Sequence, residues 1–113
     1  MAIDVQPYSP DWPIQFEQIS GKIQPAIAHI SNAAIEHVGS TSVPGLAAKP
    51  IIDIDIIVAP EQIPVGVDAL ATLGYSHRGD LGVPGREAFA NPTSIDLPNH
   101  HLYLCERGCL SLR

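Results

Sequence analysis

The sequence predicts an α+β domain in which helices pack on a mixed, partly antiparallel β-sheet. Three observations support this prediction. Apolar residues recur at helical spacing near the N-terminus, an isoleucine-rich run covers residues 50–59, and short strand-like runs separated by loops fill the second half. Eleven prolines and nine glycines also divide the chain into short elements. At roughly 100–200 residues per domain, 113 residues form a single domain, residues 1–113.

The N-terminal region predicts a short edge strand followed by an amphipathic helix. Ile3 and Val5 alternate with polar neighbours, which is typical of a strand. Asp11 is the expected N-cap of the helix, and Trp12 is expected to pack against it rather than to stack on a base. The following residues form one apolar stripe toward the core: Phe16, Ile19, Ile23, Ile27 and Ile30.

The middle of the chain predicts two strands joined by a polar connection. The first strand is expected at Ala33–Val38, and a loop or short helix rich in Ser, Thr, Gly and Pro follows at Gly39–Lys49. The run Pro50–Ala59 is the most distinct strand in the sequence, because isoleucine dominates it and only Asp53 and Asp55 interrupt it.

The second half predicts a helix and three more strands. The helix has apolar positions at Ile63, Val67, Leu70, Ala71 and Leu73 and ends before a glycine at position 74. The strands are expected at Tyr75–Arg78, Arg86–Ala90 and His101–Cys105. This order of elements predicts helices on one face of the sheet.

The charge balance bears on the possible partners. Twelve acidic and six basic residues give a net charge of −6, and the basic residues are scattered. We therefore expect neither nucleic acid nor an anionic membrane as a partner. The N-terminus lacks the features of a signal peptide, and no apolar run approaches the roughly 20 residues of a spanning helix. A cytoplasmic location is expected.

Potential zinc ligands lie close together near the C-terminus, at His100, His101, Cys105 and Cys109. Zinc ligands usually come as two pairs that are well separated in sequence, so this spacing is unusual for zinc. We favour reduced thiols on a strand and the turn after it.

The two aspartates of the central strand suggest a metal site. Residues two apart on a strand point to the same face, so Asp53 and Asp55 lie side by side. Adjacent carboxylates repel each other, and a divalent cation relieves that repulsion. Mg²⁺ is the expected cofactor.

A phosphate site is predicted immediately upstream. Gly39 permits a tight turn, Ser40 and Thr41 offer hydroxyl and amide donors, and Lys49 adds a positive charge. Taken singly, the Gly-Ser pair also fits an ordinary turn, and the two aspartates fit the solvated face of an edge strand. Together they match what a nucleoside triphosphate with its metal requires.

These motifs resemble a known superfamily. Gly39-Ser40, twelve intervening residues and then Asp53-Ile-Asp-Ile are similar to the signature of the nucleotidyltransferases. More closely, Tyr8-Ser-Pro-Asp-Trp-Pro, residues 36–54, Leu73-Gly-Tyr and His100-His-Leu resemble the GrpB family in order and spacing.

The resemblance implies a nucleotidyltransferase-like fold with Gly39 and Ser40 at the phosphates and Asp53 and Asp55 as Mg²⁺ ligands. The superfamily usually adds a third carboxylate from a later strand, at the place occupied here by residues 101–103. His101 is the candidate replacement, as ligand or base, and Asp96 is a second candidate from the preceding loop. Tyr8, Tyr75 and Arg86 are candidate pocket residues because of their positions at element ends.

The resemblance leaves several functions open. The first is transfer of a nucleotidyl group from a nucleoside triphosphate to a small-molecule acceptor. The second is a binding module that holds a nucleotide or coenzyme without turnover. GrpB members usually continue into a further helical region, so a truncated and inactive member is the third expectation. An uncovered sheet face would then favour a homo-oligomer.

Overall fold

The computed structural model describes residues 5–92 and 96–108. Its helices and strands are, in chain order, α1 (Asp11–Ile27), β1 (Ala34–Val38), β2 (Ile52–Val58), α2 (Ile63–Ala71), β3 (Ser76–His77), β4 (Arg86–Ala90) and β5 (His100–Glu106). Short 3₁₀ helices lie at Ser40–Ser42 and Pro60–Gln62. From Asp11 onward, the element types expected from the sequence are therefore present, with bounds that agree or differ by up to three residues.

The strands form one mixed sheet in the order β1-β2-β5-β4-β3. The β2 and β5 strands are parallel neighbours at its centre, whereas the other three pairs are antiparallel. The parallel pair requires a long crossover, and α2, β3 and β4 lie within it. This arrangement confirms the predicted mixed, partly antiparallel sheet.

One face of the sheet carries the hydrophobic core. Alternate side chains of β2 point into it, and Ile52, Ile54, Ile56 and Val58 have no exposed surface. The predicted stripe of α1 and the inner residues of α2 pack on this face. Trp12, 2% exposed, belongs to the same core, as predicted.

The contact between α2 and β5 is close because a glycine lies at the crossing. A Cβ at position 66 would lie 2.6 Å from a Leu104 methyl carbon, well inside ordinary van der Waals contact. The absence of that Cβ lets the helix approach the strand, and the leucine beneath it is fully buried.

Two local predictions are corrected at the N-terminus. Asp11 does not cap α1: it is the first helical residue, Pro10 occupies the cap position, and the Ser9 hydroxyl accepts a hydrogen bond from the Asp11 amide (3.1 Å). Ile3 lies outside the described residues. The observed edge pairing is a bridge between Gln6 and Ala48.

The later strands also differ in extent. The β3 strand has only two residues, and the Tyr75 amide before it donates to the Leu70 carbonyl near the end of α2 (3.2 Å). The β2 strand begins after Pro50, whose ring nitrogen has no hydrogen to donate. No helix in the described ranges has the length and apolar character needed to cross a membrane.

Candidate functional site

The face of the sheet opposite the core is polar at its centre. Asp53 and Asp55 of β2 both point there, because residues two apart share a face. The parallel register places His101 beside Asp53 and Tyr103 beside Asp55. Residues from two distant parts of the sequence therefore meet at this face.

The turn after β1 packs directly against the first aspartate. Gly39 has φ +74° and ψ −170°, a conformation that residues with a side chain rarely adopt. A Cβ at this position would also collide with the Asp53 carboxylate. The Ser42 hydroxyl donates to the Gly39 carbonyl (2.6 Å) and holds the turn. The predicted phosphate turn and the predicted metal ligand are thus in contact.

The turn is supported from the core side. Thr41 is buried, and a hydrogen bond of 3.0 Å joins its hydroxyl to Nε2 of His37. The His37 ring stacks on Phe16 of α1, with ring centroids 4.9 Å apart and planes 8° apart. Burial lowers the pKa of His37, and the Asp53 charge opposes that shift. A neutral imidazole therefore links the turn to the first helix.

A pocket of about 360 Å³ opens beside this turn. Five residues predicted from the sequence line it: Ser40, Thr41, Lys49, Asp53 and His101. Small and apolar residues complete the wall, namely Val5, Ala47, Ala48 and Ile51. The space therefore carries a hydroxyl, a carboxylate, an imidazole and an ammonium group within one cavity.

Asp53 is the accessible member of the aspartate pair. Its side chain is 32% exposed, and its Oδ1 lies 3.1 Å from Nδ1 of His101. The His101 side chain is itself 56% exposed. The imidazole and the carboxylate therefore form a polar pair at the rim of the pocket.

Asp55 is the buried member, with 7% exposure. Burial raises its pKa, while the Arg86 charge and a hydrogen bond from the Cys105 thiol oppose that shift. Glu36 is its register partner on β1, and the charges of Glu36 and Asp53 raise the pKa further. The surroundings of Asp55 therefore disfavour its ionised form on balance, and pKa shifts of this kind are common at functional sites.

Comparison with known proteins assigns the family. The GrpB protein family matches residues 2–113. This chain belongs to the GrpB family. A UPF0157 protein of Pseudomonas aeruginosa is 47% identical over 74 residues, which are 65% of this chain and 30% of that protein. The chain therefore spans less than a third of that curated relative.

Solved structures agree with the family and extend the fold. The crystal structure of GrpB from Enterococcus faecalis is similar with a TM-score of 0.73 and 33% identity, covering 91% of this chain and 61% of that one. Cid1, solved in complex with the UTP analogue UMPNPP, is similar with a TM-score of 0.64, covering 92% of this chain and 33% of that one. At 10% identity this second likeness shows the nucleotidyltransferase-like fold alone.

The donors at this GrpB site suit magnesium. Within residues 5–92 and 96–108, no three His, Cys, Asp or Glu side chains are arranged to hold a metal ion. Mg²⁺ usually takes one or two carboxylates and completes its octahedron with waters and substrate phosphates. The backbone of Gly39, without a Cβ, leaves the space that the Asp53 carboxylate occupies. Asp53 at the wall of this pocket, with Asp55 beside it on β2, fits that requirement.

The neighbouring histidines do not form a shared zinc site. His100 points into the core, where its Nε2 lies 2.7 Å from the Tyr75 hydroxyl, whereas His101 points to the opposite face. Cys105 is buried on β5 and contacts Asp55, and Cys109 lies outside the described residues.

Two of the candidate pocket residues, and the second candidate for the third carboxylate, lie elsewhere. Tyr75 is 3% exposed and belongs to the core, and Tyr8 packs edge-on against Trp12. Asp96 lies with Gln18 and Lys22 of α1, on the helix side of the sheet, and so does not replace the third carboxylate. Each candidate was suggested by its position along the chain, which does not define the face on which a side chain lies.

The sequence reasoning missed two supporting contacts. The bond from Cys105 to Asp55 and the stack of Phe16 on His37 link segments far apart in the chain. Alternate residues of a strand share a face, so Cys105 lies on the same face of β5 as His101. This alternation was the signal in the sequence that could have indicated the contact between Cys105 and Asp55. Nothing in the local sequence indicates the second.

The contact of Gly39 with Asp53 predicts that a side chain at position 39 destabilises the protein more than one at a comparable glycine. Gly39→Ala adds both a strained positive φ and a collision with the carboxylate. Gly45→Ala is the matched control, since Gly45 has φ +84° but nothing within 4 Å of its Cβ position. We expect Gly45→Ala to lower the free energy of unfolding by about 1–2 kcal/mol and Gly39→Ala to lower it by at least ~1 kcal/mol more. Urea unfolding measures the difference, and equal losses would contradict the contact.

The raised pKa of Asp55 predicts that removing its charge stabilises the folded protein, and that this stabilisation grows as the pH rises. Because the pKa of Asp55 is higher in the folded state than that of an ordinary aspartate side chain, ionisation of Asp55 disfavours folding as pH rises toward the folded pKa. Asp55→Asn should therefore melt at the same temperature as the wild type near pH 3.5 or lower, and a few degrees higher at pH 7. Asp68→Asn, an exposed position on α2, is the control. A melting-temperature difference that does not grow with pH would refute this account.

Proposed function

We propose that this chain binds a nucleoside triphosphate together with Mg²⁺ and transfers its nucleotidyl group to a small-molecule acceptor. The observation that supports this most is the packing of Gly39 against the Asp53 carboxylate, at the edge of a pocket that also contains Lys49. A turn whose hydrogen-bond donors suit a phosphate therefore lies next to a carboxylate that suits a metal ion. A nucleotide substrate agrees with the cytoplasmic location expected from the sequence.

The turn and the lysine are the proposed phosphate contacts. Ser40 is exposed at the pocket, and we assign its hydroxyl and the Ser40 and Thr41 amides to the phosphates. The Ser42 and Val43 amides already bond to the carbonyls of Gly39 and Ser40. Lys49 lines the same cavity and opposes the charge of the phosphates. Thr41 lines it as well, but its hydroxyl bonds to His37, so we assign Thr41 to holding the turn in place.

Asp53 and Asp55 are the proposed metal ligands. A bound Mg²⁺ would neutralise phosphate charge and favour departure of pyrophosphate. The proteins of this fold supply mainly position and charge to such a reaction. Here the turn is braced through His37 and Phe16, so the phosphate contacts are positioned before the nucleotide arrives.

His101 is the proposed proton acceptor. If its Nδ1–H donates to Asp53 Oδ1, the lone pair of Nε2 is available on the exposed side of the ring. An acceptor hydroxyl would lose its proton to this nitrogen while its oxygen attacks the α-phosphorus. The bond from that phosphorus to the bridging oxygen breaks, and pyrophosphate leaves with the electron pair.

A second function is supported by Tyr103. This tyrosine occupies the position beside Asp55 on β5, close to where the superfamily carries its third carboxylate. A tyrosine hydroxyl is a poor Mg²⁺ ligand compared with a carboxylate. A module that holds a nucleotide or coenzyme without turnover is therefore the second proposal.

Binding tests the proposed ligand first. We expect a non-hydrolysable ATP or UTP analogue to bind in isothermal titration calorimetry when Mg²⁺ is present, and to bind at least about tenfold more weakly without it. Asp53→Asn should cause a similar loss, and Asp68→Asn, on the opposite side of the fold, should change affinity less than about twofold. Unchanged affinity in Asp53→Asn would contradict the proposal.

Turnover then separates the two functions. Steady release of pyrophosphate with hydroxyl-bearing acceptors, lost in His101→Ala, would support the transferase. Binding without release across the same panel would support the binding module.

A further inference from the structure

A positive charge stands on the same face as the two aspartates. Arg86 opens β4, and its register partner on β5 is Cys105, the residue whose thiol bonds to Asp55. The guanidinium carbon of Arg86 lies 4.2 Å from the centre of the Tyr103 ring. Tyr103 is in turn the register partner of Asp55. Arg86, Tyr103 and Asp55 therefore follow one another across three strands.

The guanidinium is fixed in place but is not neutralised by a bonded carboxylate. It stacks on an aromatic face, and that contact is favourable for a cation. Its Nε is buried and has no hydrogen-bond partner within the described part of the chain. Both ion pairs found in residues 5–92 and 96–108 involve histidines instead. The charge of Arg86 thus acts on its surroundings at short range, and it favours the ionised form of Asp55.

The number of carboxylates limits the number of divalent cations. A two-metal site clamps ions about 3.5–4 Å apart and needs shared carboxylates to offset their charge. Here β2 supplies two aspartates, Glu36 of β1 lies on one side of Asp55, and Tyr103 of β5 lies on the other. The Arg86 guanidinium covers the Tyr103 ring, so a second cation on the β5 side of Asp55 would meet a positive charge instead of a carboxylate ligand.

We infer that Arg86 supplies the second positive charge of this site, so that the aspartate pair takes one divalent cation and not two. The cation lies on the Asp53 side, which opens to the pocket, and the guanidinium balances Asp55 from the β4 side. This inference rests on the proposed function, because it concerns the metal of that same site.

The stoichiometry of Mn²⁺ tests the inference on the unmodified chain. Electron paramagnetic resonance counts the Mn²⁺ bound per chain in the presence of a saturating non-hydrolysable ATP analogue. We expect one bound ion per protein–nucleotide complex. Two ions would overturn the inference and leave the proposed function standing. If neither Mn²⁺ nor its nucleotide complex binds to the protein, both the inference and the proposed function are overturned.

Variants separate a charge role from a structural one. Removing a nearby positive charge favours cation binding, so Arg86→Gln should tighten the affinity for Mn²⁺ alone by about threefold or more. Arg86→Lys should bind as the wild type does. Arg78→Gln, an exposed arginine beyond β3, is the control for loss of charge and should have little effect. Unchanged or weaker Mn²⁺ binding in Arg86→Gln would overturn the assignment.

A gain of carboxylate provides the complementary test. Tyr103→Asp places a third acidic group beside Asp55 and removes the ring under the guanidinium. In combination with Arg86→Gln it should raise the count from one Mn²⁺ to two. Tyr103→Phe keeps the ring and should still bind one. A second ion in Tyr103→Phe would contradict the role given to Arg86.

Discussion

The packing of the Gly39 backbone against the Asp53 carboxylate is the contact on which the site depends. It joins the end of β1 to the start of β2, so the turn and the acidic pair cannot move independently. Only a residue without a Cβ allows this approach. The close approach places a group that suits phosphate next to a group that suits a cation. The pocket with its lining residues His101 and Lys49 is arranged around that junction.

The sheet separates stability from chemistry. Its inner face buries isoleucine and leucine side chains against two helices, and its outer face gathers acidic, aromatic and basic side chains. Asp55 shows what this division costs: burial and the neighbouring acids raise its pKa, while Arg86 and Cys105 only partly offset them. A protein selected for stability alone would gain by losing this charge. This unfavourable charge agrees with the metal-ligand role proposed for Asp55.

Much of the candidate site could be predicted from the local sequence, and the rest depends on which strands pair and in which register. Alternation along residues 50–59 predicted that both aspartates share a face, and the glycine at position 39 predicted a tight turn. His101, the neighbour of Asp53, is 48 residues away along the chain, however, and the two meet only because of the parallel register of β2 and β5. Register is fixed by the whole sheet, so sequence indicated His101 only through the family resemblance. The same limit explains why Tyr75 was placed near the pocket although it lies in the core.

The location of a bound metal–nucleotide complex tests the central claim most directly. In an NMR spectrum of the assigned backbone amides, Mn²⁺ added with a non-hydrolysable ATP analogue broadens the signals of nearby residues. The account predicts the strongest broadening at Gly39, Ser40, Asp53 and His101, and little at Ile63–Ala71, which lies across the sheet. Broadening centred on that helix, or spread evenly over the chain, would contradict it.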